Sequence, residues 1–217
     1  MKYSILFIVC LCATFSLNAQ RVVEKTFSFS GKQLLDLNLQ IADSIEVKTW
    51  NKNEVAVKAS INVNNNKYND DYIVDFSEAG DEIEVKAKFD SKVRRSNWNN
   101  GDSCDCGYRS DITWVIYIPE NARINLETIN GNIIITGKTS EMRIQTISGY
   151  IDLAIPPSLQ ADLRLSTLTG TIYTNVQMDD LASNAKRRQS DVVSKFNGGG
   201  KPVSLKTISG DIFLRKP

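Results

Sequence analysis

No histidine occurs anywhere in the 217 residues. That absence excludes Ser-His-Asp and Cys-His mechanisms. It also excludes every zinc site that needs imidazole, and it removes the commonest general base near neutral pH. Carboxylate-based glycoside hydrolysis stays open. Cysteine is scarce: of four, Cys10 and Cys12 lie in an N-terminal apolar run, which leaves Cys104 and Cys106. Neither charge sign is in excess. Of 26 basic residues one, Lys2, precedes residue 21, so 25 basic residues face 25 acidic ones. This gives no electrostatic case for nucleic acid. The one dense basic run, Lys186 to Arg188, lies in a polar stretch and reads as a solvated loop.

Residues 1–20 read as a secretory signal peptide. Lys2 is the positive n-region, ILFIVCLCATF the apolar h-region, and Leu17-Asn18-Ala19 an acceptable cleavage site. The apolar run is short for a membrane span, and no second one follows, so no transmembrane anchor is expected. Residues 21–217 remain as one domain, with a polar loop insertion at 90–111 and an atypical insertion at 177–200.

One ten-residue phrase recurs in the second half: LETINGNIII (Leu126 to Ile135), IQTISGYIDL (Ile144 to Leu153), LSTLTGTIYT (Leu165 to Thr174) and LKTISGDIFL (Leu205 to Leu214). Its glycines, Gly131, Gly149, Gly170 and Gly210, are separated by 18, 21 and 40 residues, a period near twenty with one interval doubled. A fixed period of this length marks a stacked repeat. Each copy reads as a strand, a corner and a second strand, with period-two alternation on both sides. The four glycines are the expected structural corners, since Gly reaches positive φ without steric cost. Stacked coils predict one ladder of Thr128, Thr146, Thr167 and Thr207 and another of Ile133, Ile151, Ile172 and Ile212. The fold class expected is all-β, a parallel β-solenoid with coils of about 20 residues; the alternative is an antiparallel β-sandwich.

The first half follows the same grammar. Leu35, Leu37, Leu39, Ile45, Val47, Val55, Val57, Ile61 and Val63 alternate with polar residues, and Asn51-Lys52-Asn53 marks a bend. Ile83 to Phe89 has one apolar and one charged face. ITWVIYI (Ile112 to Ile118) is nearly continuous and predicts a central strand buried on both faces.

The loop at 90–111 holds Trp98, Cys104, Cys106 and Tyr108. Cys104-Asp105-Cys106 reads either as a strained disulfide that stiffens the loop or as a redox or metal feature. Two thiols without His make a poor metal site, and Asp102 and Asp105 match no calcium-loop spacing. Trp98 and Tyr108 are candidates for ligand contact; the structural reading packs them back on the domain. No cofactor is expected. The residues after the glycines, Asn132, Tyr150, Thr171 and Asp211, form no recurring carboxylate pair, so no catalytic residues are assigned.

From about Arg123 to Pro217, including FNGGGKPVSLKTISGDIFL (Phe196 to Leu214), the chain resembles a bacterial adhesin repeat family, a domain of formerly unknown function. It is also similar to head-domain adhesins built on Gly-Ile-Asn-like repeats. SIEVKTWNKNEVAVKA (Ser44 to Ala59) looks like the opening coils of that family. The resemblance implies a right-handed β-helix-like fold and an extracytoplasmic, non-enzymatic role. The function expected is binding of a protein or glycan at the cell envelope, in the periplasm, at the outer surface or secreted. The alternatives are an envelope-stress or signalling component and a polysaccharide-active hydrolase or lyase.

Overall fold

The computed structural model describes residues 20–90, 109–179 and 191–217. The protein is all-β. Its strands are β1 (Arg21–Ser28), β2 (Leu34–Leu39), β3 (Ile41–Trp50), β4 (Glu54–Val63), β5 (Tyr72–Ala79), β6 (Glu82–Phe89) and β7 (Ser110–Pro119). They continue with β8 (Arg123–Thr136), β9 (Glu141–Ser148), β10 (Ile151–Ala154), β11 (Ala161–Thr167), β12 (Ile172–Thr174), β13 (Asp191–Phe196), β14 (Lys201–Ser209) and β15 (Ile212–Arg215).

β8 is the spine. Its first half pairs in parallel with β2 and β9, and its second half with β3 and β10. Two walls therefore meet along one row of corners. The first wall runs β5-β6-β2-β8-β9-β14-β11-β13. The second runs β1-β4-β7-β3-β8-β10-β15-β12. Alternation turns every second side chain of each wall inward, and these side chains join in one hydrophobic cluster.

The repeats stack in register, like on like. Thr128 faces Thr146, Thr146 faces Thr207, and Thr207 faces Thr167. In the second wall Ile133, Ile151, Ile212 and Ile172 form the matching ladder, all buried. Burying each Ile contributes about 1.5–3 kcal/mol.

Two features depart from a simple solenoid. First, the copies stack out of sequence order: the fourth, on β14 and β15, lies between the second and the third. The doubled interval makes this feasible, because β13 runs back antiparallel along the outer side of β11 before the chain re-enters the sheet as β14. Second, the sheet is open and mixed, since β1, β4, β7, β5, β6, β11 and β13 also make antiparallel pairs. A purely parallel stack is thus corrected to parallel repeats extended by antiparallel strands. β7 also differs from expectation: it is central, but its inward residues Ile112, Trp114, Ile116 and Ile118 are fully buried while outward Val115 is half-buried and Tyr117 exposed.

The corners explain the repeated phrase. A Cβ on Gly149 would lie 2.8 Å from the carbonyl carbon of Gly131 and closer still to its oxygen. Gly210 stands in the same relation to Gly149, and Gly170 to Gly210. Close backbone approach along this stack demands glycine. Positive φ is shared only by Gly149 and Gly210 among the four. The inward threonines satisfy buried corner carbonyls. Thr167 Oγ1 donates to Gly210 O at 2.8 Å and accepts from Gly170 N at 3.0 Å, and Thr207 Oγ1 donates to Gly149 O at 3.3 Å.

Candidate functional site

The outward face of the second wall carries an aromatic shelf. β10, β15 and β12 place Asp152 beside Phe213 and Phe213 beside Tyr173. The rings of Tyr173 and Phe213 stack with centroids 5.2 Å apart and planes at 9°. Tyr150, just past the Gly149 corner, meets Phe213 edge-on at 6.0 Å. Phe213 belongs to the fourth copy, so inserting that copy is what places one ring between the other two. Asp152 accepts a hydrogen bond from Arg215 Nε at 2.6 Å, which fixes a charged pair at the border of the shelf and holds the Arg215 pKa above its ordinary value. Tyr173 is 41% exposed, so its ring face is open to a ligand.

A second aromatic pair lies on the same wall. Trp50 stacks on Tyr117 at 5.1 Å, and Lys52 Nζ sits 4.7 Å from the Trp50 ring centre. Trp50 Nε1 donates to Glu54 O at 2.7 Å, which locks the indole. Four strand steps separate β7 from β15, about 19 Å at the usual sheet spacing. Flat rings on a stiff sheet suit the apolar faces of sugar rings or the side chains of a protein partner.

The first wall presents a different surface. At each corner two consecutive residues point outward, and the first is aliphatic in every copy: Ile129, Ile147, Ile208 and Leu168, 41–73% exposed. They form a ridge beside a groove of about 340 Å³ lined by Asn38, Gln40, Glu127, Gln145 and Lys206. Gln145 Nε2 donates to Glu127 Oε1 at 3.1 Å across this groove.

The corner glycines Gly131, Gly149, Gly170 and Gly210 come together in the stack described above. Cys104, Cys106, Trp98 and Tyr108 lie outside the described residues. The aromatic shelf was not anticipated. Its sequence signal is an aromatic residue three positions after Gly170 and Gly210, at Tyr173 and Phe213. Among the described residues no group of three or more His, Cys, Asp or Glu is placed to hold a metal ion. No helix among them is long and apolar enough to cross a membrane.

No protein-family model matches the chain, and no curated protein is similar to it. Among solved structures, a putative cell adhesion protein from Clostridium sporogenes superposes with a TM-score of 0.54 at 13% identity, covering 91% of this chain and 100% of its own. A putative adhesin from Bacteroides fragilis gives a TM-score of 0.34 at 7% identity, covering 91% and 98%. The Clostridium likeness is one of fold.

Proposed function

We propose that this chain is an exported, non-catalytic, adhesin-like protein that binds a glycan or protein ligand at the cell envelope. The observation that carries this reading is the shelf of Tyr150, Phe213 and Tyr173, with Tyr173 exposed and the other two rings half-buried, held on the sheet beside the Asp152–Arg215 pair. The corner-joined parallel repeats are read as right-handed solenoid coils that supply this rigidity, and residues 1–20 as the signal peptide. Trp98 and Tyr108 are proposed as further ligand contacts, and Cys104 with Cys106 as a disulfide; all four lie outside the described residues. The fold likeness to an adhesion protein agrees with this role.

The test is a glycan array and an immobilised panel of extracellular-matrix proteins, probed with the wild type, with Tyr173→Ala/Phe213→Ala, and with a variant lacking residues 94–109. Binding that is lost in the double substitution supports the shelf. Binding that survives both changes refutes the assignment of these surfaces. Turnover of any glycan, seen as released reducing ends, would refute the non-catalytic reading.

A further inference from the structure

Alternation along β8, β9, β14 and β11 turns aliphatic side chains inward, yet one aliphatic row faces solvent. It follows the inward threonines: Ile129, Ile147, Ile208 and Leu168 stand in stack order along the corner, 41–73% exposed. Contiguous apolar surface of this kind marks a site of interaction. Polar side chains flank the row on both sides. On the first-wall side Glu127, Gln145, Lys206 and Ser166 run in register across the same four strands, and the groove of about 340 Å³ lies between them and the ridge. On the other side Asn130, Ser148 and Ser209 run in register, all exposed. Charge cancels along these two rows, which carry one carboxylate, Glu127, and one ammonium, Lys206. Gln145 Nε2 donates to Glu127 Oε1 at 3.1 Å, which leaves the Gln145 amide oxygen and the second carboxylate oxygen to accept from a ligand.

We infer that this corner ridge is a second binding site, separate from the aromatic shelf, and that its ligand is an uncharged, extended β-linked glycan lying along the ridge. The ridge spans three strand steps, about 14 Å, and is one side chain wide. A stable protein interface buries about 800 Å² on each partner, so this strip suits a narrow chain rather than a second protein or a second copy. An extended β-linked chain with equatorial hydroxyls carries those hydroxyls along both edges and C–H groups on its flat faces. Laid on the ridge, one face covers the aliphatic side chains and takes apolar surface of both partners out of water. One hydroxyl edge then meets Glu127 and Gln145, and the other meets Asn130, Ser148 and Ser209. Sugar hydroxyls donate and accept, as amides and serines do. The stack repeats at about 4.8 Å, close to the length of one sugar unit in such a chain, so each strand step meets one sugar. With one acid and one base in the rows, a charged chain gains no net attraction, whereas an uncharged one uses both groups as hydrogen-bond partners.

The experiment is isothermal titration calorimetry of the purified protein with cellohexaose, cellobiose and maltohexaose, uncharged glucose chains that differ in length or linkage. Cellohexaose should bind. Cellobiose and maltohexaose should bind at least roughly tenfold more weakly, because the first covers only part of the ridge and the second coils away from it. Raising the salt from about 0.05 M to about 0.5 M should leave the affinity within twofold, since no ion pair forms. Ile147→Ser/Ile208→Ser should bind roughly tenfold more weakly or worse, with unchanged circular dichroism and melting temperature, since both side chains are exposed. Gln145→Ala leaves the ridge intact and should also weaken binding, which keeps the test readable if the isoleucine variant fails to fold. Tyr173→Ala/Phe213→Ala should bind like the wild type. The inference is overturned if cellohexaose does not bind, if maltohexaose binds as tightly, or if the ridge variant and Gln145→Ala keep their affinity. Loss in the shelf variant alone refutes this site and leaves the proposed function standing.

Discussion

Gly210→Ala should be among the most damaging single-methyl changes in the protein. The new Cβ would fall 2.7 Å from the Gly149 carbonyl carbon and closer to its oxygen. That carbonyl has little freedom to retreat. Its oxygen accepts the Thr207 hydroxyl at 3.3 Å, and the Gly149 amide is held by Ser209 O at 3.1 Å. Gly210 also sits at φ +153°, where a side chain adds backbone strain. Overpacking a rigid site costs about 1–3 kcal/mol, and the backbone contributes a similar amount. Together they give about 2–6 kcal/mol, against a total stability on the order of 5–15 kcal/mol. At about 2–4 °C per kcal/mol for a domain of this size, the melting temperature should drop by about 4–24 °C. Gly131→Ala is the control. Its Cβ would stand 3.0 Å from Ala42 O, its φ is not positive, and the added methyl restricts the unfolded chain. Its melting temperature should fall by less than about 4 °C. Thermal melts by circular dichroism, with urea titrations to check that the m-value is unchanged, measure both. The stack argument fails if Gly210→Ala melts like the wild type, or if Gly131→Ala falls as far.

Three further expectations follow from the same geometry. Thr167→Val keeps the shape but strips two hydrogen bonds from a buried corner, so it should lose about 1–3 kcal/mol in urea titration, while Thr167→Ser stays closer to the wild type. Tyr72 is fully buried, its hydroxyl donates to Ile41 O at 2.8 Å, and burial pushes its pKa well above the ordinary 10.0. The unfolded chain releases this proton above pH 10 and the folded one retains it, so stability should fall as pH rises beyond that value; Tyr72→Phe should flatten the decline in alkaline denaturation curves. Deleting residues 201–217 takes away β14 and β15, leaving β12 without a strand partner and the β11–β13 pair detached from β9. Loss of a cooperative melt is expected, whereas deleting 20–29, an edge strand, should leave one.

Much of this architecture was legible because parallel in-register stacking sets like residues side by side. The recurrence of Thr128, Thr146, Thr167 and Thr207 at one position of the phrase therefore implied a ladder before any coordinates. The order of stacking was not legible, since the copies share one phrase and the pattern alone does not say which copy neighbours which. Only the forty-residue gap hinted at it. The role of glycine was half legible: the turn at Gly149 and Gly210 follows from backbone freedom, but the need at Gly149, Gly170 and Gly210 for a residue without a Cβ comes from a carbonyl of the neighbouring copy. ITWVIYI misled because Val115 and Tyr117, though apolar, face outward, where Tyr117 stacks on Trp50. The shelf combines the second, third and fourth copies, so its assembly depends on the one feature the repeat pattern leaves undetermined.

That feature has a kinetic side. A chain emerging amino end first builds β9, β10, β11 and β12 before the strands that must lie between them exist. Until residue 214 is free, β9 and β11 face a gap, with parallel edges unpaired and ready to pair with another chain. Closing the gap means threading a strand into the middle of both walls, a non-local step of the kind that makes β proteins fold in milliseconds to seconds. Such a molecule stays unfinished until its last two strands slot in.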